Sequence, residues 1–81
     1  MSIADERTAR EAFVRYLRKY PKFSPDPSWM REFIAGYVQA SIVLTEMNDI
    51  FDEPTDYLAT KKDASHAYSE GFTMYIEDLE G

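Results

Sequence analysis

Asp26-Pro27-Ser28-Trp29-Met30-Arg31-Glu32-Phe33-Ile34-Ala35-Gly36-Tyr37-Val38-Gln39-Ala40-Ser41-Ile42-Val43-Leu44-Thr45-Glu46-Met47-Asn48-Asp49-Ile50 is the stretch on which the fold turns. Asp26 followed by Pro27 reads as an N-cap and a proline at the first helical position, where its missing N–H costs nothing and its φ is already helical. No breaker follows, so the spacing predicts one helix over 27–50. Trp29, Met30, Phe33, Ile34, Tyr37, Val38, Ile42, Val43, Leu44 and Met47 surround it almost completely. Its polar side narrows to Glu32, Gln39 and Glu46 at seven-residue intervals. So thin a polar stripe must be covered on two or more sides. This is either the central helix of the domain or part of a homodimer interface, with Trp29, Met30, Ile42 and Val43 as the residues that would pair two copies.

Upstream, Pro21-Lys22-Phe23-Ser24-Pro25-Asp26-Pro27 places three prolines in seven residues and stops any helix that precedes it. A first helix over about 3–20 is expected, capped by Ser2, with Asp5 and Glu6 at the positive end of its dipole. At 100° per residue Ala9, Phe13, Tyr16, Leu17 and Tyr20 share one arc, and Arg7, Arg15, Arg18 and Lys22 lie nearly opposite. One side packs and the other is cationic. Arg18, Lys19 and Lys22 also complement the dipole at the helix end, which accounts structurally for part of that charge.

Downstream, Phe51 to Ala59 reads as a loop broken by Pro54, with room for one short helical turn. A third helix over about 61–79, capped by Thr60 or Asp63, buries Ala64, Ala67, Tyr68, Phe72, Tyr75, Ile76 and Leu79. A short repeat links helices two and three. Phe33-Ile34-Ala35-Gly36-Tyr37 and Tyr68-Ser69-Glu70-Gly71-Phe72 share the form aromatic, two residues, Gly, aromatic, and two of the three glycines sit in them. A mid-helix Gly costs about 1 kcal/mol against Ala, so it needs a compensating contact. Gly36 with Ala40, and Ala67 with Gly71, form small-residue ridges, and the two helices are expected to cross there. At these positions the repeat resembles the Gly-Tyr and Gly-Trp helices of the small ribosome modulation factors, without the strong basic charge of that family.

The expected architecture is therefore all-α, a compact three-helix bundle forming a single domain over 1–81. At 81 residues, surface scaling gives about 5,000 Å² exposed when folded, enough for one small core. With 15% aromatic and 44% hydrophobic residues the chain has material for that core. Zero cysteines exclude disulfides and thiolate metal sites. No apolar run is long enough to span a bilayer, and the charged start Asp5-Glu6-Arg7 lacks the pattern of a signal peptide, so a cytoplasmic location with no membrane partner is expected.

No nucleophile stands beside a base, no phosphate-cradling glycine loop is present, and the single histidine, His66, neighbours only Ser65 and Ser69 in one turn. The acids around Asp49 lack the alternating ligands and central Gly of a calcium loop. We expect a protein with no catalytic residues, metal or cofactor, whose work is recognition. Net charge is −6 overall, split between +3 in residues 1–22 and −9 beyond, which sets two candidate surfaces. Glu46, Asp49, Asp52, Glu53 and Asp56, with Glu70, Glu77 and Asp78, form a carboxylate-rich side able to occupy a cationic groove built for nucleic acid. Size, acidity and helicity resemble the small phage-encoded proteins that block host defence, anti-CRISPR proteins and DNA mimics among them. That resemblance implies an inhibitor or adaptor binding a host protein with a basic surface. The alternative surface is Arg7, Arg15, Arg18 and Lys22 with Tyr20 and Phe23, a nucleic-acid- or ribosome-binding side that the overall negative field disfavours.

Overall fold

The computed structural model describes residues 3–47, 49–50 and 53–80, and within them the chain is all helical with no strand. Four helices follow in order: α1 Glu6–Lys19, α2 Pro27–Glu46, α3 Thr55–Thr60 and α4 His66–Glu80. The three-helix expectation is thus corrected by α3, whose six residues are too few to display a 3.6-residue period against the flanking polar chain.

Each boundary has a chemical cause. Asp5 caps α1: its Oδ1 accepts the Thr8 N–H at 2.8 Å, so the helix starts three residues later than expected. The expected cap, Ser2, lies outside the described residues. That bond from Thr8 is the first cause holding the Asp5 carboxyl below its ordinary pKa. At the other end Tyr20 turns out of the helix, and the Phe23 N–H bonds the Tyr20 carbonyl at 3.0 Å. Lys22 therefore sits in a turn, away from the helical arc assigned to it. Asp26 caps α2 as expected, accepting the Trp29 N–H at 2.8 Å. That helix stops at Glu46, four residues short of Ile50, and Met47 and Ile50 close successive turns through bonds of 3.0 Å. Ser65, rather than Thr60 or Asp63, caps α4, its Oγ accepting the Tyr68 N–H at 3.1 Å.

The two glycines decide how α2 meets α4. A Cβ built on Gly36 would stand 2.0 Å from the Tyr68 carbonyl oxygen, and one on Gly71 would stand 2.0 Å from the Phe33 oxygen. The contact is reciprocal and made of backbone, as the repeated aromatic-x-x-Gly pattern requires. Both helices head the same way across it. First-turn residues of both (Ser28 and Trp29 of α2, His66 and Ala67 of α4) line one depression, while Tyr37 beyond the crossing reaches Tyr75 at 5.2 Å. α3 lies between the two helices in the chain, and its Tyr57 stacks on Phe72 of α4 at 5.7 Å.

α1 runs opposite to α2. Phe13 packs on Phe33 at 5.1 Å, Tyr16 on Trp29 at 5.5 Å, and near its start the Ala4 N–H donates to Ser41 Oγ at 2.9 Å. Ser41 is fully buried, and its hydroxyl is satisfied by also donating to the Val38 carbonyl. Phe33, Phe72 and Val43 are among the most deeply enclosed side chains. Val43 at 1% exposure leaves the dimer surface proposed for it, because a helix apolar all round gives no periodic signal of which side faces its own chain. Trp29, Met30 and Ile42 are half-buried.

Candidate interaction surfaces

The carboxylates separate into two groups by what they touch. On α4, Asp78 is committed internally: its Oδ2 accepts from the Tyr37 hydroxyl at 2.6 Å and from Arg15 Nη2 at 2.5 Å, joining α1, α2 and α4 through one oxygen. Burial first, and this carboxylate second, push the Tyr37 hydroxyl up to about 12. Glu70 stands 3.1 Å from His66 Nε2 and, after burial, is the next cause raising the Tyr16 pKa. Glu77 is exposed and lines a narrow cleft with Tyr16, Lys19, Tyr20, Glu70, Thr73 and Met74. The α4 acids therefore face α1, and they serve partly to hold it.

The second group follows α2. Glu46, Asp49, Glu53 and Asp56 are all exposed, and Asp52 lies outside the described residues. Asp56 turns back to accept the Glu53 N–H at 3.3 Å and sits in the first turn of α3. Glu46, Asp49 and Glu53 have no basic group within ion-pair distance among the described residues. Glu46 stands in the last turn of α2, where the peptide dipoles of a twenty-residue helix leave partial negative charge and no basic residue offsets it. Among the described residues no three of these groups gather as a metal cage.

The expected basic side is divided as well. Arg7 pairs with Glu11 at 3.7 Å, Arg10 with Glu6 at 2.8 Å and Arg15 with Asp78. Arg18, Lys19 and Lys22 have no carboxylate within ion-pair distance among the described residues, and all three are exposed. Beside them Tyr20 and Phe23 are 44% and 37% exposed, unusually open for aromatic side chains in so small a domain. Sequence alone marked Arg7, Arg15, Arg18, Lys19, Lys22, Tyr20 and Phe23. It missed the selective pairing along α1 that leaves its last turn and the turn after it without carboxylate partners among the described residues, because Arg15 and Asp78 are 63 positions apart.

No helix among the described residues is long and apolar enough to cross a membrane. No protein-family model, no curated protein and no solved structure matches this chain.

Proposed function

We propose that this is a non-catalytic binding protein whose working surface is the acidic chain leaving α2, and that its partner is a protein with a basic, nucleic-acid-handling surface. The observation that carries the reading is that Glu46, Asp49 and Glu53 are all exposed and unpaired among the described residues, with Glu46 in the last turn of α2. Like charges stacked against a helix dipole lower the stability of the free protein, and a cationic partner relieves that cost on binding. Exposed carboxylates can occupy the sites where a groove expects phosphates. An inhibitor of the anti-defence kind, blocking such a groove, is the form of activity this surface suits best.

Capture from a cell lysate on the immobilised protein tests it, run beside the Glu46→Lys, Asp49→Lys, Glu53→Lys variant. The wild type is expected to retain a basic protein that free DNA or RNA displaces, and the variant to lose it. Identical retention by both, or retention that nucleic acid leaves untouched, refutes the reading.

A further inference from the structure

The turn that ends α1 presents a different chemistry from the acidic chain. Lys19-Tyr20-Pro21-Lys22-Phe23 contains two lysine–aromatic pairs, and the Phe23 N–H bonded to the Tyr20 carbonyl at 3.0 Å makes both rings emerge from one β-turn. Pro21 stiffens it. An open depression of about 570 Å³ is lined by these five residues, and a second of about 350 Å³, lined by Phe13, Leu17, Pro25 and Met30 among others, adjoins it across Phe23. Behind the turn the rings are braced: Tyr20 packs on Tyr16 at 4.9 Å, and Phe23 meets Trp29 edge-on at 4.7 Å. Lys19 lies over the Tyr20 ring at 5.7 Å, leaving Lys22 the cation most open to a ligand phosphate.

We propose that this turn binds unpaired nucleotides, with bases stacking on Tyr20 and Phe23 and phosphates meeting Lys22 and Lys19. Exposed, pre-ordered aromatic faces interleaved with unpaired cations suit a single strand, whose bases offer π-faces that a duplex conceals. An acidic peptide would use the lysines and leave the rings without a role. The negative field of the rest of the molecule keeps the footprint short, since Glu70 and Glu77 line a narrow cleft together with Lys19 and Tyr20. The proposal is independent of the acidic surface that binds protein.

The test titrates the full chain with a short single-stranded oligothymidylate, read by anisotropy of the labelled strand and by fluorescence of the single Trp29, which touches Phe23. Binding is expected at low salt, with a logarithmic salt slope of about −1.4 for two phosphate contacts. Lys22→Gln should halve that slope, and Phe23→Leu, which keeps an apolar contact on Trp29, should weaken binding about tenfold. The Glu46→Lys, Asp49→Lys, Glu53→Lys variant should still bind at least as well as wild type, which separates this site from the protein-binding one. Absence of binding at low salt, equal binding of a duplex, equal competition by polyglutamate, or unchanged affinity in both turn variants would each overturn the proposal.

Discussion

At Gly36 and Gly71 the helix interior tolerates a residue of poor propensity because nothing larger fits between two backbones. An added methyl gains about 1 kcal/mol of helix propensity and meets a carbonyl oxygen at 2.0 Å, a rigid neighbour that moves only if the helices part. Gly36→Ala is therefore expected to lower stability by about 3 kcal/mol or more in urea unfolding, and Gly71→Ala likewise. The double variant should cost less than the two single losses together, since one displacement of α4 serves both. A stabilised Gly36→Ala would mean that the helices do not touch here. Tyr37 offers a second test at this scale. Its hydroxyl gives Asp78 a charge-assisted bond at 2.6 Å, so Tyr37→Phe should cost about 1.5 to 3 kcal/mol at neutral pH. Tyr37 is held at about 12 in the fold against about 10 when unfolded, so its contribution is complete below pH 10. It is lost as pH rises through 12. Urea unfolding of the wild type should therefore weaken more steeply over that window than unfolding of Tyr37→Phe, while Tyr16, Tyr68 and Tyr75, also raised chiefly by burial, supply the slope that remains.

At the scale of elements, caps and helix ends carry the argument. Asp26→Ala removes the acceptor of the Trp29 N–H and should cost about 1 kcal/mol in thermal or urea unfolding; Asp26→Asn, which keeps an acceptor, should lose much less. Unchanged stability in Asp26→Ala would show that α2 takes its start from packing alone. This cap was legible because Asp-Pro is a local signal, as was the crossing of α2 with α4, where two glycines recur within matching aromatic frames. The start of α1 was misread by three residues because Ser2 and Asp5 are both competent caps, and only the bond to Thr8 distinguishes them. α3 is too short for periodicity to reveal. Val43 was misassigned because α2 is apolar around most of its circumference, so which side meets its own chain depends on α1 and α4. The site residues were legible as charges, yet their partners were not: Asp78 belongs to an internal link and Glu46 to a free surface, a difference set by where α1 docks.

Across the whole molecule, charge and shape combine into a test of what opposes folding. The accessible surface is 5430 Å², somewhat above the scaling value of about 5,000 Å², in keeping with extents of 38 × 26 × 19 Å. Spread over that body is a net charge of −6, with the short-range relief of the four ion pairs among the described residues, one of which involves His66 and requires it protonated. Those pairs are exposed or half-exposed, where each is worth about 1 kcal/mol or less. Repulsion among the remaining carboxylates acts over the full length at about 0.01 M salt, where the screening length is about 30 Å, and is largely quenched at 0.15 M, where it is about 8 Å. Adding salt should therefore raise the thermal midpoint, and each kcal/mol so recovered corresponds to about 4–8 °C in a domain of this size. The Glu46→Lys, Asp49→Lys, Glu53→Lys variant, with its net charge reversed to zero and the end of α2 now matched to its dipole, should start from a higher midpoint and respond little to salt. If the wild-type midpoint instead falls as salt is added, the ion pairs outweigh the repulsion, and the free carboxylates after α2 are not held at an energetic cost that a cationic partner would relieve.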